Sequence, residues 1–248
     1  MLKLITLNIE MDKHYSRFFP FLDNEDADVI CLQEVPESAL RYFHGRGFAT
    51  VFAPMIIKKL SDKEEAVGVA IATKLPFSTQ KVYYHGAKEN LVLSDGKDPG
   101  KNSVYAYIMA KIDFNGETYN IATTHMVDTP NGKENDLQIL VMNKMLEHLK
   151  NEEAHCICGD FNMPRGYNKL YDLVTTNYID SIPIEYKSSL DRNLHRMGSI
   201  PIDQPIFDCY MVDYIFAQAP YKVEVDRLQF GVSDHAGIVA EIYKNENL

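Results

Sequence analysis

Glycine and proline are scarce, at 13 and 11 of 248 residues, too few for a fibrous or disordered chain. Long apolar runs are missing too. The longest stretch of small and apolar residues, 66–72, has seven members, against the roughly 20 that a membrane-spanning helix needs. The start, Met1-Leu2-Lys3-Leu4, runs into the polar Thr6, Asn8 and Glu10. It lacks the apolar stretch and small-residue cleavage site of a secretory leader, so the expected compartment is the cytoplasm. Only four cysteines occur, Cys31, Cys156, Cys158 and Cys209, with no Cys-x-x-Cys pair. All four sit in apolar sequence and read as buried, reduced thiols. Basic runs are absent: Lys58-Lys59 and Lys187 stand apart, and 35 acidic residues against 25 basic ones give a formal net charge of −10. Nucleic acid repels such a chain at long range, which argues against a protein that coats duplex DNA. A local site is not excluded, because one divalent ion reverses the local sign.

The remaining composition, 46% hydrophobic and 24% charged, is that of a globular protein with a deep core. No repeat, low-complexity tract or linker divides it, so a single domain over residues 1–248 is expected. Period-two alternation or short apolar runs predict strands at 2–7, 28–32, 66–73, 77–83, 103–112, 119–124, 155–158, 210–216, 221–226 and 238–243. Asn115-Gly116 marks a tight turn between the fifth and sixth of these. Helices are predicted at 14–22, from Pro36 towards Phe43, and at 169–174. Another spans 137–150, with an apolar face of Leu137, Leu140, Val141, Met145, Leu146 and Leu149. Strand–helix–strand stretches mixed with hairpins favour an α/β sandwich with mixed sheets over a doubly wound parallel sheet.

Polar residues recur where these strands stop: Asn8, Glu34, His125, Asp160 with Asn162, Asp213, and Asp234 with His235. Taken singly, each has an ordinary explanation, such as a turn residue, a helix-start carboxylate or an Asx-turn. Asp213 is sharper, since a carboxylate in the apolar run 211–216 needs a partner. Six such places in one chain suggest a common site delivered by strand ends. Crowded carboxylates repel unless they bind a cation or share protons. Oxygen ligands without thiolates suit Mg²⁺ or Mn²⁺, and imidazoles beside such an ion suit phosphoryl chemistry.

Thr6-Leu7-Asn8-Ile9, Leu32-Gln33-Glu34-Val35, Thr124-His125, Gly159-Asp160-Phe161-Asn162, Val212-Asp213-Tyr214-Ile215 and Ser233-Asp234-His235 together resemble the ordered motif set of the endonuclease/exonuclease/phosphatase superfamily. That group includes pancreatic-type DNase, exonuclease III-like abasic endonucleases, neutral sphingomyelinases, inositol polyphosphate 5-phosphatases and tyrosyl-DNA phosphodiesterase 2. The motifs run from residue 6 to residue 235. Leu7 departs from the aromatic residue that many members carry there. The resemblance implies a four-layered α/β/β/α sandwich, two mixed sheets face to face with helices outside. It implies hydrolysis of a phosphate ester with Mg²⁺ or Mn²⁺. Glu34 matches the principal metal ligand, Asn8 the amide that supports the metal site, and Asp234 lies at the metal edge. Asp160 matches the residue that orients or deprotonates the attacking water, and Asn162 the amide that positions nucleophile or phosphate. His125 and His235 match the histidines at the scissile phosphate, and Asp213 the carboxylate that orients the second of them. Either His235 or metal-bound water protonates the leaving group. Glu65, just before the strand at 66–73, is a candidate partner for His125.

Three functions compete. The first is a phosphodiesterase or nuclease acting on nucleic acid or its adducts. The second is a phosphatase or phosphodiesterase for small phosphates or lipid headgroups. The third is an inactive, binding member of the group, which the filled catalytic positions disfavour. A monomer is expected. The apolar stretch 52–57 is either core or edge strand, or a lipid-facing loop. The segment 186–197 is polar and without period; it carries Lys187, Arg192, His195 and Arg196, the last two being the candidate substrate contacts. Ser189-Leu190-Asp191 lacks the aromatic residue of the family's Thr-Trp-Asp stretch, which removes one base-stacking platform.

Overall fold

The computed structural model describes residues 1–61, 63–94, 103–129, 131–199 and 209–245. Twelve strands among them form two six-stranded sheets. The first holds β1 (Leu2–Asn8), β2 (Val29–Pro36), β3 (Ala49–Lys59), β4 (Glu64–Thr73), β11 (Tyr221–Gln229) and β12 (Gly237–Lys244), in the order β11-β12-β1-β2-β4-β3. The second holds β5 (Phe77–His85), β6 (Tyr105–Phe114), β7 (Glu117–His125), β8 (Cys156–Asp160), β9 (Ile179–Asp180) and β10 (Asp213–Ala217), in the order β5-β6-β7-β8-β10-β9. Both sheets are wired alike. The central pair is parallel, β1 with β2 in one sheet and β7 with β8 in the other, and the outer pairings are antiparallel. A parallel pair needs a crossover. Helix α1 (Tyr15–Glu25) lies in the first crossover and α3 (Asp136–Leu149) in the second, with α2 (Leu40–His44) and α4 (Lys169–Thr175) following β2 and β8.

Strand alternation assigns the layers. Leu2 and Leu4 of β1, with Val29 and Cys31 of β2, join the large core cluster shared with the second sheet, which also takes in Met142, Met145 and Leu149 of α3. The alternate residues Ile5, Leu7, Ile30 and Leu32 pack instead with Phe18, Phe21 and Leu22 of α1 and Phe43 of α2. The result is the α/β/β/α sandwich. Among the described residues, no helix is long and apolar enough to cross a membrane.

Several details differ from the sequence-based expectations. The stretch 52–57 is the middle of β3, the edge strand beside β4, with Ala53, Met55 and Ile56 buried; it is no lipid-facing loop. The face of α3 that turns inward carries Gln138, Val141, Met142, Met145 and Leu149, whereas Leu140 is exposed. The i, i+3, i+4, i+7 pattern therefore starts on a polar residue, which hydrophobicity alone does not register. Cys31, Cys156 and Cys158 are buried, but Cys209 is exposed. Two-residue β9 is too short to leave a periodic signal.

The two sheets are also tied by polar bonds. Gln33 on β2, fully buried, donates its side-chain amide to Thr6 Oγ1 at 3.2 Å and to Thr123 Oγ1 of the opposite sheet at 2.9 Å. This approach requires Gly159. Its φ is +136°, and an added Cβ would lie 2.1 Å from the Thr124 carbonyl oxygen and 3.3 Å from the Gln33 side-chain nitrogen. Gly159→Ala should thus force β7, β8 and the facing sheet apart, at a cost of about 3 kcal/mol. Urea unfolding measures this; an unchanged midpoint would show that the sheets are not so tightly apposed.

Candidate active site

The carboxyl ends of the two central parallel pairs meet at one rim of the sandwich. Asn8 ends β1 and His125 ends β7, and in the parallel β7/β8 register His125 stands beside Asp160. The antiparallel neighbours contribute from their beginnings. Asp213 opens β10 directly opposite Asp160, and Ser233-Asp234-His235 lies just before β12. Each sheet thereby delivers polar groups to the same edge, where open α/β structures commonly bind ligands. Glu34 reaches the rim through an irregularity: the β2/β4 register shifts between Leu32 and Val35, and Glu34 has φ +53°. Asn162 is also left-handed, at φ +50°. Two non-glycine residues are thus held at one rim in a region that non-glycine residues seldom occupy.

Asp160 is the centre of the arrangement and is 2% exposed. Its Oδ2 accepts the Asn8 side-chain amide at 3.0 Å, across the two sheets. The same oxygen lies 3.5 Å from His125 Nε2 and 3.8 Å from His235 Nε2. Its Oδ1 accepts the Asn162 backbone N–H at 2.9 Å. Burial raises the Asp160 pKa and the Asp213 charge adds to it, while the two histidines oppose the shift. His235 Nδ1 meets Asp213 Oδ2 at 2.7 Å. Burial disfavours its charge, but Asp213, Asp160 and Asp234 outweigh burial and hold its pKa well above the ordinary value. The surrounding carboxylates thus favour the charged form of the His235 ring.

His125 does not pair with Glu65, contrary to the sequence-based expectation. Glu65 accepts from the Ser38 backbone N–H and hydroxyl and pairs with Lys63. Around His125 Nε2 stand the Asn162 side-chain amide at 3.2 Å, Asp160 at 3.5 Å and Glu34 at 3.9 Å. The cause is direction: Glu65 is spent on the turn before α2, and His125, at the end of β7, turns towards β8.

These groups border a cleft of about 310 Å³. Glu10, Glu34, Asp234, His195 and Arg196 line it together with His125, Asp160, Asn162 and His235, and Met55, Ile56 and Val67 form an apolar wall. Burial pushes the Asp234 carboxyl up to about 7; His235 opposes this, and Glu10 and Glu34 add to it. Glu34 and Asp234 offer oxygen donors that suit Mg²⁺ or Mn²⁺, and Glu10 beside them pairs with Lys13 and, at 2.8 Å, with His14. Asn8 Oδ1 accepts the Glu10 N–H at 3.1 Å and retains a second lone pair. Ligand atoms of Glu10, His14 and Asp234 lie within 4.8 Å of one another.

The segment 186–197 is only partly the solvated recognition loop expected. Ser189 and Asp191 are buried. Ser189 Oγ accepts the backbone N–H groups of Val212 and Asp213, both at 3.2 Å. Asp191 N–H donates to the Asp234 carbonyl at 2.8 Å. The first half of the segment therefore clamps the Asp213 and Asp234 backbones. His195 faces His235, with ring centroids 6.1 Å apart, and burial with the His235 and Arg196 charges lowers its pKa to about 4 despite Glu10 and Glu34. Arg196 is exposed and pairs with Asp128 at 3.4 Å.

Some residues escaped sequence reasoning. Glu10 enters the cleft because it and Met11 both adopt positive φ, 47° and 60°, a turn that no local motif announces. Gln138 donates to the carbonyls of Val127 and Asn162, each at 2.9 Å, and accepts from Asn168. It braces the loops after β7 and β8 together. A glutamine at an inward position of a helix face was the available signal.

A family model described as Endonuclease/Exonuclease/phosphatase family matches residues 5–235. The chain belongs to this family. It is a family of phosphoesterases and nucleases. Similar solved structures include the endonuclease/exonuclease/phosphatase from Bacteroides vulgatus, at 16% identity over 98% of this chain and 99% of that one, TM-score 0.69. D. rerio TDP2 complexed with single strand DNA product gives 15% identity over 98% and 99%, TM-score 0.68. Beta toxin from Staphylococcus aureus gives 18% identity over 99% and 100%, TM-score 0.66. Likeness at these identities shows the family fold. No curated protein matches the sequence.

Asp213→Asn should lower the His235 pKa towards its ordinary value of about 6.5. The alkaline limb of kcat/KM then moves to lower pH. The matching stability contribution is full below the unfolded-state pKa and is lost as pH rises through the folded one, so in the variant it is smaller and its loss is complete at lower pH. An unmoved alkaline limb would dissociate Asp213 from His235.

Proposed function

We propose that the protein is a Mg²⁺- or Mn²⁺-dependent phosphodiesterase of the nuclease type, acting as one domain over residues 1–248. The observation that carries this reading is Asp160, buried at 2% exposure with Oδ2 within 3.8 Å of both His125 and His235. A carboxylate so enclosed, with a raised pKa, is suited to take a proton from water, and the flanking imidazoles are suited to the charge that builds on phosphate oxygens. Asp160 accepts the proton of the attacking water as that water's oxygen bonds to phosphorus, the bond from phosphorus to the leaving oxygen breaks, and the leaving oxygen takes its proton from His235 or from water. Asn162, braced through its carbonyl by Gln138, orients that water or the phosphate. His235, held by Asp213, donates to a non-bridging oxygen, with His125 on the other side. Glu34, Asn8 and Asp234 hold the divalent ion, with Glu10 beside them, and the ion supplies positive charge to the phosphate when bound. His195 and Arg196 contact the substrate flank.

The apolar cleft wall from β3 and β4 fits a diester carrying an organic group on each side better than a free polyphosphate. With Ala53, Met55 and Ile56 buried in β3, the stretch 52–57 offers no membrane-facing loop, although the −10 charge still suits a small phosphate or lipid headgroup as well.

Hydrolysis of bis-p-nitrophenyl phosphate, single-stranded DNA, 5′-phosphotyrosyl DNA, sphingomyelin and inositol phosphates, each with Mg²⁺ or Mn²⁺, tests the reading. Turnover of the diesters should vanish with EDTA and return with either ion; full activity after exhaustive chelation would overturn the metal dependence. Asp160→Asn, nearly isosteric, should keep the fold by circular dichroism and lose about 10²–10⁴-fold in kcat. Wild-type kcat in that variant would remove Asp160 from the role of base.

A further inference from the structure

A second, more open hollow of about 450 Å³ adjoins the cleft, and Leu190 lines both. Glu185, Tyr186, Lys187, Arg192 and Phe230 line it. Two cations and two aromatic rings thus gather on a protein whose net charge is −10. Phe230 keeps 40% of its surface exposed. The remaining acid of the hollow, Asp191, is turned into the backbone: Oδ1 accepts the Asn193 N–H at 2.8 Å and Oδ2 the Gly231 N–H at 2.6 Å. These bonds fix the two walls of the hollow to each other.

The same residue joins the hollow to the candidate active site. Asp191 N–H donates to the Asp234 carbonyl at 2.8 Å, and Leu190 forms a β-bridge with His235. The turn that carries Phe230, the segment that carries Lys187 and Arg192, and the Asp234-His235 pair are therefore one hydrogen-bonded unit. Gly198 tightens it further, since a Cβ there would lie 1.9 Å from the Arg192 carbonyl oxygen. The distance from the hollow to His235 is set by the backbone rather than by a wandering loop.

We propose that this hollow is a subsite for a neighbouring nucleotide of a single-stranded polynucleotide whose scissile phosphate lies against His235. Lys187 and Arg192 meet the flanking phosphate, and Phe230 stacks on the base. The proposal rests on the phosphodiesterase reading. Stacking on one exposed ring tolerates any base, and two cations suit one backbone phosphate. A duplex would bring more phosphates than these cations answer to a chain that repels them.

The test compares wild type, Phe230→Ala and Arg192→Ala on bis-p-nitrophenyl phosphate, on thymidine p-nitrophenyl phosphate and on single-stranded oligonucleotides of increasing length. In wild type, KM should fall about tenfold from the mononucleotide to the oligonucleotides, a change of the size that one stacked base supplies. Phe230→Ala should erase that fall, with kcat and bis-p-nitrophenyl phosphate turnover unchanged. Binding of a labelled oligonucleotide, read by fluorescence anisotropy, should weaken about tenfold in Phe230→Ala and lose part of its salt dependence in Arg192→Ala. A wild-type KM independent of length, equal losses on all substrates, or turnover confined to sphingomyelin or inositol phosphates would overturn the subsite. Absence of all diester hydrolysis would instead overturn the catalytic reading. The anisotropy arm then still decides the subsite, because it needs no turnover.

Discussion

Two carboxylates, Asp160 and Asp213, stand opposite each other in the β8/β10 ladder, both 2% exposed. Buried like charges at that spacing are unfavourable unless a cation or a proton is shared between them. His235 supplies the cation, with Nδ1 on Asp213 at 2.7 Å and Nε2 3.8 Å from Asp160. The carboxylates favour the charged form of the imidazole, and that charge offsets the cost of their burial. Much of the surrounding backbone serves to hold this trio. Ser189 Oγ receives the N–H groups of Val212 and Asp213, Asp191 ties down Asp234, and Asn8 reaches across from the other sheet to Asp160. Among the described residues, Asp213 Oδ1 is buried without a hydrogen-bond partner.

The duplicated wiring of the sheets explains how the trio gains its neighbours. In each sheet the central pair runs parallel, so two strands end side by side at the same rim, and the antiparallel strands next to them begin there. Facing the two rims brings Asn8 and Glu34 from one sheet against His125 and Asp160 from the other. Asp160 Oδ2 thereby takes the Asn8 amide from the facing sheet while lying 3.5 Å from His125 of its own. The inter-sheet contacts of Gln33 and Gly159 are consequently as much a part of the site as the ionisable groups, since they set how far apart the rims stand.

The architecture and the strand-end residues were legible in the sequence because both depend on local signals. Alternation and apolar runs mark strands, and a polar residue that interrupts such a run is conspicuous. Asp213 stood out for that reason, and its partner proved to be His235. What was illegible depends on contacts between distant segments. Nothing near Glu65 tells that Ser38 claims it before His125 can. Gln138 reads as one polar residue on a helix, yet it spans two loops from 24 and 11 residues away. Strand β3 was ambiguous from sequence because an edge strand beside a cleft buries only part of its length; its apolar middle reads equally as an exposed apolar loop until the pairing with β4 is seen.

The left-handed residues connect stability with chemistry in one further way. Glu34 and Asn162 each occupy a conformation that costs a non-glycine side chain of order 1 kcal/mol or more, and each lies at the cleft. A relaxed backbone would turn the Glu34 carboxylate back into the sheet and the Asn162 amide away from His125. Gln138 holds Asn162 by its carbonyl from the side of α3. On the Glu34 side the Met11 N–H donates to the Glu34 carbonyl at 3.1 Å, so the same turn that brings Glu10 into the cleft also secures the strained carboxylate. Glu34 and Asp234 are thus mounted on backbone hydrogen bonds at the cleft, while Glu10 beside them pairs with Lys13 and His14. Oxygen donors carried on a fixed backbone meet a cation with little reorganisation, which is the condition under which charge on a phosphate is stabilised.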